Sequence, residues 1–330
     1  MQQEEVVETK SLYAFDEICD TWLPLKDTAP QETTSLNPKT FSLITYNIDA
    51  MNYFVNERIH TIFSFLNTHS VAPLLAASPP VPTIILVQEL RNTAIPTLLA
   101  HPVVRAHYCV TDITAADWAA YYGTLTLVPR ALALAGHVRA VFRTPFKSST
   151  MGRSALYVDI GIAEEKVLRI ANVHLESLRG RADKMRIEQL GSVAQRLRAP
   201  DVYAGVVAGD MNPIGPYDDS APTKLGLSDA WTVCQDRSVA GSYEGKAKSD
   251  KEWEGHTWGH QPPSQFPERR MDKILLTGPL EPKEVEVIGM GLTMEGGGDD
   301  NGDLEDLEDV EGEPMWVSDH YGLVARIDIA

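Results

Sequence analysis

Two short segments of this sequence are apolar throughout, 83-TIILV-87 and 205-GVVAG-209. A strand with one face in solvent alternates apolar and polar residues, so a continuous apolar run of this length indicates a strand buried on both faces. Similar β-rich runs alternate with segments of helical period, of which 57-ERIHTIFSFLNTH-69 and 182-ADKMRIEQLGSVAQRL-197 are the longest. The alternation predicts an α/β protein with helices covering its sheets.

Charge divides the chain into a nearly neutral body and two acidic segments. Residues 1–38 hold eight acidic residues and two lysines, and residues 292–316 hold ten acidic residues and no base. The formal net charge of −17 lies almost wholly in these segments, so it says little about what the body binds. We predict an acidic, partly disordered N-terminal tail over residues 1–38, of which YAFDEICDTWLPL could pack against the body. One domain should follow over 39–330, with an acidic low-complexity loop at about 292–316.

Hydropathy and cysteine content exclude several classes of protein. No run approaches the ~18 apolar residues of a membrane span, and the first residues, MQQEEVVETK, lack the apolar region of a secretory signal. The three cysteines, Cys19, Cys109 and Cys234, are widely separated, which argues against a disulfide framework and a cysteine zinc site. We expect a monomeric intracellular protein of the nucleus and/or cytoplasm, not secreted and without a membrane partner.

Six predicted strands carry small, acidic, amide or imidazole residues at one end. Four strands run directly into such residues, and two strands are preceded by them: Asn47 and Asp49 after FSLIT, Gln88 and Glu89 after TIILV, His174, Glu176 and Ser177 after IANV, Asp210 and Asn212 after VVAG, Arg270 and Asp272 before KILL, and Ser318, Asp319 and His320 before YGLVARIDI. A single such end, GDMN for example, is explained as well by a turn. Six together predict a shared polar rim.

The residue types at this rim suit phosphate-ester hydrolysis assisted by a hard cation. Carboxylate and amide oxygens, here Asp49, Glu89 and Asn47, are ligands for magnesium or manganese, whereas zinc would require more histidine or cysteine. Asp210 is then left as the base or water-orienting group, with Asn212 fixing the attacked phosphate. A histidine preceded by an aspartate, as in 319-DH-320, can be held in one tautomer and stabilise a charged transition state.

The motifs TYN, QE, HLES, GDMN and SDH, in this order, resemble the endonuclease/exonuclease/phosphatase superfamily of magnesium-dependent phosphodiesterases. Within it, 145-PFKSSTMGRSAL-156, 174-HLESLRGRA-182 and 256-HTW-258 are most similar to the 5′-tyrosyl-DNA phosphodiesterases. The resemblance covers about residues 41–330. It implies a four-layer sandwich of two packed mixed β-sheets flanked by helices. It also implies hydrolysis of the 5′-phosphotyrosyl bond between a DNA end and a trapped topoisomerase, in DNA repair, with RNA as a further substrate left open.

Carried over position by position, the resemblance assigns roles to the rim. Magnesium, for which manganese could substitute, would be held by Asp49 and Glu89. The catalytic groups would be Asp210, Asn212, His174, Ser177, His320 and Asp319, the last of which would orient His320. The substrate contacts would be Asn47, Tyr122, Arg153, Trp258 and Met271. Met271 stands where these enzymes usually have an aromatic residue, and Ile214 where they have a basic one, so the substrate is less well specified than the reaction.

Two alternative functions remain open at this point. One is a general nuclease or nucleotide phosphodiesterase of the same superfamily. The other is a non-catalytic binding scaffold with the same fold. A scaffold would be expected to lack Glu89, Asp210 or His320, and all three are present.

Overall fold

The computed structural model describes residues 7–25, 39–240, 255–294 and 315–330. Its strands are β1 Glu8–Thr9, β2 Tyr13–Asp16, β3 Thr21–Pro24, β4 Thr40–Asn47, β5 Thr83–Arg91, β6 Tyr108–Val110, β7 Tyr122–Pro129, β8 Val138–Pro145, β9 Ser154–Ala163, β10 Lys166–His174, β11 Val202–Asp210, β12 Ser228–Asp229, β13 Asp272–Thr277, β14 Leu280–Ile288, β15 Thr293–Met294, β16 Met315–Trp316 and β17 Gly322–Ile329. Its helices are α1 Val55–Leu66, α2 Ala72–Leu75, α3 Ile95–Ala100, α4 Pro102–His107, α5 Arg130–Leu134, α6 Arg181–Arg196, α7 Ala221–Lys224 and α8 Ala230–Ala240. A π-helical segment, Asn67–Val71, joins α1 to α2.

Apart from β15 and β16, which pair only with each other, these strands form two mixed sheets that pack face to face. The first sheet has the strand order β1-β8-β9-β10-β11-β13-β12, and the second has the order β14-β17-β4-β5-β7-β6-β2-β3. The pairs β4–β5 and β10–β11 are parallel, and the other pairs within the two sheets are antiparallel. Within the described ranges, no helix has the length and apolar character needed to cross a membrane.

Strand β5 explains why an apolar run was needed. Its Ile84 and Leu86 belong to the core between the two sheets, whereas Ile85 and Val87 belong to a second core beneath α1 and α3. Strand β11 does the same in the first sheet, where Val207 packs beneath α6. Both faces of each strand exclude water, so a polar residue is disfavoured on either face unless it finds a hydrogen-bond partner. The predicted four-layer sandwich, helix on sheet on sheet on helix, is confirmed.

Residues 7–25 of the predicted N-terminal tail belong to the sandwich, and they include YAFDEICDTWLPL, the part expected to be able to pack against the body. Strand β1 pairs with β8 at the edge of the first sheet, and β2 pairs with β6 at the edge of the second. Between these strands Lys10 donates to Asp112 at 2.8 Å, and Arg143 lies 3.3 Å from the same carboxylate. Residues 1–6 and 26–38 of the predicted tail lie outside the described residues.

The polar ends of the strands meet because the parallel pairs end at the same side of the sandwich. A buried amide pair links the two sheets one step before these ends: Gln88 Nε2 donates to Asn172 Oδ1 at 2.9 Å. In turn Asn172 donates to the carbonyl oxygens of Val87 and Leu125. Hydrogen bonding of both amides within an apolar core fixes the register of the two sheets, because any slip would leave buried polar groups without partners.

The strand end 206-VVAGDMNP-213 requires a glycine for a close approach. Gly209 has a φ of 139°, and a Cβ on it would lie 1.9 Å from the carbonyl oxygen of Val173 on the neighbouring strand. Only glycine is compatible with both conditions. This approach brings the ends of β10 and β11 together, with His174 beside Asp210 in the register of the parallel pair.

The predicted acidic loop is described only at its ends. Residues 295–314 lie outside the described residues. Strand β15 pairs with β16 in a short antiparallel ribbon, Thr293 opposite Trp316 and Met294 opposite Met315. The two ends of the acidic segment therefore lie next to each other, immediately before the SDH motif.

Candidate active site

The strand ends form the floor of a cleft of about 550 Å³. Glu89, His174, Asp210, Asp319 and His320 all line it. The structure thus brings these five residues of the predicted rim together at one place, whereas Arg270 pairs with Asp229 instead. The distances and hydrogen-bond partners of these groups indicate which of them could bind a cation and which could transfer a proton.

Asp210 lies at the centre of the polar floor. Its Oδ2 accepts a hydrogen bond from Asn47 Nδ2 at 3.1 Å, and it lies 3.4 Å from His174 Nε2 and 3.9 Å from His320 Nε2. Its Oδ1 accepts the N–H of Asn212, a residue at φ 46°. Asparagine tolerates this left-handed conformation better than most residues. The GDMN segment therefore forms a turn and also places Asp210 on the polar rim.

Burial, together with the nearby carboxylates of Asp272 and Glu89, raises the pKa of Asp210 to about 7, although the charge of His320 acts in the opposite direction. A carboxyl group with such a pKa exchanges protons readily near neutral pH. Asp210 therefore has the property that a general base requires.

Glu89 is the best-placed ligand for a cation. Its carboxylate accepts hydrogen bonds from the N–H of Ala50 at 2.8 Å and from Asn47 Nδ2 at 3.3 Å. Burial raises its pKa, and no lysine or arginine of the described ranges pairs with it. Ligand atoms of Glu89, His174 and Asp210 lie within 4.8 Å of one another. The neighbouring carboxylates of Glu89, partly buried, and Asp210, buried, would be stabilised by a hard divalent cation.

His174 differs from the two carboxylates in what it offers. Its Nδ1 lies 2.7 Å from Arg153 Nη1. Arginine only donates hydrogen bonds, so Nδ1 is the acceptor and the neutral ring carries its proton on Nε2. Burial, with Arg153 and His320 nearby, lowers the pKa of His174 well below its ordinary value. The ring is therefore neutral and presents an Nε2–H donor towards Asp210 and Glu89 rather than a free metal ligand.

Asp49, predicted as a metal ligand, is held elsewhere. Its carboxylate accepts the N–H of Met51 at 2.9 Å, contacts the side chain of Asn52 and lies 3.5 Å from the guanidinium of Arg58. The amide oxygen of Asn47 is also engaged, because it accepts the N–H of Asp49 at 3.0 Å. Asn47 therefore donates to the carboxylates of the floor. Of the predicted ligands, the structure leaves Glu89 facing the cleft, with Asp210 as its companion.

The role of orienting His320 belongs to Asp272, in place of the predicted Asp319. His320 Nδ1 and Asp272 Oδ2 are 2.8 Å apart, both groups being buried. Asp319 instead accepts the indole N–H of Trp258 at 2.9 Å, and its oxygen is 4.0 Å from His320 Nε2. Burial alone would lower the pKa of His320, but Asp272, Asp319 and Asp210 outweigh burial and hold the pKa well above its ordinary value. His320 is therefore a buried cation beside the floor.

The walls of the cleft carry the predicted substrate contacts. Tyr122 lies on one side, with the guanidinium of Arg153 5.2 Å from its ring centre, and Trp258 and Met271 also line the cleft. Asn212 and Ser177 are on the lining as well. Asn212 uses one amide hydrogen on the carbonyl of Leu175, and the Ser177 hydroxyl lies 3.2 Å from the Met151 sulfur.

Several contributors to this site were not predicted from the sequence. Met51, Leu178 and Phe266 expose between 58% and 64% of their surface along the cleft, and exposed apolar side chains of this size in a concave site suit an apolar or aromatic ligand. Arg58 is buried and donates to the carbonyls of Ile48 and Val317. Nothing in the local pattern of these residues signals a site, because each acts through contacts remote in sequence.

Comparisons with known proteins agree with this geometry. The model of the Endonuclease/Exonuclease/phosphatase family matches residues 44–320. The chain belongs to this family. Human tyrosyl-DNA phosphodiesterase 2 is 26% identical over 311 residues, which are 91% of this chain and 71% of that protein.

Solved structures of the endonuclease/exonuclease/phosphatase family show the same fold. Tyrosyl-DNA phosphodiesterase 2 from C. elegans superposes with a TM-score of 0.59 at 18% identity, over 88% of this chain and 75% of that one. The D. rerio enzyme complexed with a single-strand DNA product gives 0.58 at 19% identity, over 88% and 99%. Family membership and the human relative support a hydrolase of the phosphodiesterase type.

Proposed function

We propose that this chain hydrolyses the 5′-phosphotyrosyl bond that joins a DNA end to a trapped topoisomerase, with a divalent cation as cofactor. The observation that carries the proposal is the meeting of Glu89, Asp210, His174 and His320 on the floor of a cleft whose walls are largely apolar. The likeness to human tyrosyl-DNA phosphodiesterase 2 supports the choice of substrate.

The charged and neutral groups of the floor divide the work. Asp210, with its pKa near 7, accepts the proton of the attacking water. The charged ring of His320, held by Asp272, leaves Nε2–H for a phosphate oxygen, and neutral His174 adds a second Nε2–H donor. A magnesium ion held by Glu89 would neutralise charge on the phosphate oxygens, and Asp210 would stay free to act as the base.

The leaving group explains why no further acid is needed. A tyrosine phenol has a pKa near 10, so phenolate departs far more readily than the alkoxide of an ordinary DNA strand. On one side of the cleft, the Tyr122 ring and the guanidinium of Arg153 lie next to each other, 5.2 Å apart. An aromatic leaving group fits between such partners.

Cleavage of matched oligonucleotides tests the proposal. We expect a 5′-tyrosyl DNA oligonucleotide to be cut with a kcat/KM at least ~100-fold above that on the same strand without tyrosine, a difference of about 2.7 kcal/mol. Abasic DNA and RNA of the same sequence are the other two substrates. Asp210→Asn should lower kcat by ~10²-fold or more, whereas Glu164→Gln, in the turn at the far end of β10, should leave it unchanged. Equal rates on plain and tyrosyl DNA would instead identify a general nuclease.

Removal of the cation gives the first prediction. Because Glu89 and Asp210 offer oxygen ligands and His174 offers a donor, activity should disappear with EDTA and return with magnesium or manganese. Glu89→Gln should raise the magnesium concentration needed for half-maximal rate by ~10-fold or more, and Asp49→Asn should leave it within about threefold. Recovery with zinc and none with magnesium would contradict the assignment.

A further inference from the structure

Glu176, two residues beyond His174, has a buried carboxylate with four donors. One oxygen accepts the Ser149 hydroxyl at 2.7 Å and Gln189 Nε2 at 3.1 Å. The other oxygen accepts the N–H of Thr150 at 2.8 Å and its hydroxyl at 2.7 Å. Only an ionised carboxylate can accept all four hydrogen bonds. No lysine or arginine in the described part of the chain forms an ion pair with Glu176, so these donors alone stabilise its charge.

The hydrogen bonds of Glu176 continue to Arg153. The Ser149 hydroxyl donates a hydrogen bond to Glu176, and the same oxygen accepts the N–H of Arg153 at 2.8 Å and that of Met151 at 3.2 Å. The turn 149–153 is therefore built around this one hydroxyl. Its glycine, Gly152, has a φ of 72°, and a Cβ there would meet Ala119 at 2.6 Å. The turn has little room to take another shape.

The orientation of the Arg153 side chain depends on the turn 149–153. Its guanidinium contacts His174 Nδ1 at 2.7 Å and the ring of Tyr122. Within the described ranges it has no carboxylate partner, so no ion pair holds it in place. Where the side chain points therefore depends on the backbone of residues 149–153, which is also anchored by the Phe146 N–H to the Arg153 carbonyl, and on a contact of the guanidinium with the Met151 sulfur.

We propose that Glu176 is a positioning residue, which sets Arg153 against His174 and so selects the ring tautomer with its proton on Nε2. Helix α6 holds the other side of Glu176, since Gln189 Oε1 accepts its N–H at 2.9 Å and Arg186 donates to its carbonyl at 3.1 Å. The effect of Glu176 on the reaction rate rests on the proposed function, whereas its effect on the His174 tautomer does not. A misplacement of about 1 Å in a catalytic group can cost ~10²-fold in rate.

Three substitutions separate this role from plain structural support. Glu176→Gln leaves one oxygen for four donors and turns an amide nitrogen towards other donors. Ser149→Ala removes only the link to Arg153. Gln189→Met removes the α6 side-chain contacts to the same carboxylate and to the Glu176 N–H, but keeps Ser149 and Thr150 in place. Gln189→Met should lower stability as the other two do, and its His174 ring should stay unchanged.

The readout is the ¹⁵N spectrum of the histidine rings, with His174 assigned by comparison with His174→Gln. In the wild-type chain we expect His174 to show a protonated Nε2 and an unprotonated Nδ1. In Glu176→Gln and Ser149→Ala, the Nδ1 and Nε2 shifts should move towards a tautomer mixture. Unchanged ring shifts in Ser149→Ala, or equal changes in Gln189→Met, would overturn the proposal.

Kinetics on the 5′-tyrosyl oligonucleotide add a second measurement. Glu176→Gln and Ser149→Ala should lower kcat by ~10-fold or more with KM within about threefold, because His174 acts on the reacting phosphate and Arg153 sets its ring. Gln189→Met should stay within about threefold in both constants. A rise in KM alone would contradict positioning. If the wild-type chain does not cut the substrate, the proposed function fails, while the ring spectra still decide the role of Glu176.

Discussion

At the scale of single residues, the two aspartates near His320 have different tasks. Asp272 is fully buried and binds the ring at Nδ1, whereas Asp319 is bound to the indole of Trp258. The first contact sets the charge and orientation of the His320 imidazole. The second sets the position of an aromatic wall. Sequence adjacency suggested the opposite, because Asp319 precedes His320 directly.

Exchanging each aspartate for asparagine distinguishes these tasks. Asp272→Asn removes the largest of the charges that keep His320 protonated, so we expect kcat to fall by ~10²-fold with little change in KM. Asp319→Asn should keep kcat within about threefold and raise KM, because it weakens the support of Trp258. Steady-state kinetics on a tyrosyl oligonucleotide measures both. The pairing with Asp272 would be wrong as a catalytic contact if the larger loss of kcat followed Asp319→Asn.

Much of the polar rim is readable from the sequence, since strand-end residues such as Glu89, Asp210 and His320 follow or precede visible apolar runs. Their partners are less readable. Asp272 reaches His320 only because β13 and β17 lie in different sheets that happen to meet there, and Asp49 is diverted by Arg58, which no local pattern marks. Position along a strand was predictable, but pairing between strands was not.

At the scale of elements, the N-terminal segment is a clasp between the open edges of the two sheets. Leu12 and Phe15 are buried in it, and Lys10 donates to Asp112, which also contacts Arg143 of the other sheet. Asp112 begins the loop that leads to Tyr122, so the clasp also supports one wall of the cleft. The stretch YAFDEICDTWLPL indicated that part of this acidic segment could pack, but not where, because the few apolar side chains that cover an edge form no periodic pattern.

Truncation tests the clasp. A chain that starts at residue 39 keeps the whole family match but loses the burial of Leu12 and Phe15, so its free energy of unfolding should fall by about 3 kcal/mol or more. A chain that starts at residue 7 is the matched control and should unfold at the same urea concentration as the full chain. Lys10→Met, which leaves Asp112 with Arg143 alone, should cost about 1–3 kcal/mol. Equal midpoints for the chains starting at 7 and at 39 would show that the clasp contributes nothing.

At the scale of the whole molecule, the acidic segment and the cleft are close in sequence, since the β15–β16 ribbon ends just before Ser318, Asp319 and His320. The interpretation of this segment as a solvated loop, whose effect on DNA is screened, stays a prediction. At physiological salt the Debye length is about 8 Å, so charges that project beyond it change little at the cleft.

Replacing residues 295–313 by a short Gly/Ser linker tests this interpretation. The linker keeps the ribbon strands Thr293–Met294 and Met315–Trp316, so the SDH motif should keep its place. We expect kcat/KM on a 5′-tyrosyl oligonucleotide to stay within about threefold at physiological salt, a change below ~1 kcal/mol. At low salt the replaced chain should bind DNA more tightly. A tenfold gain at physiological salt would mean that the segment inhibits the enzyme.

The floor of the cleft is shared by both sheets across a seam. Asn47 and Glu89 come from one sheet, His174 and Asp210 from the other, and the contacts between them span 3.1 to 3.8 Å. A slip of one sheet past the other by a single residue is about 3.3 Å, as long as the contacts themselves. Substitutions between the two sheets that permit such a slip should therefore abolish activity without unfolding the protein. Residues that hold the seam, such as Gln88 and Asn172, should thus tolerate change far less than equally buried residues beneath the outer helices.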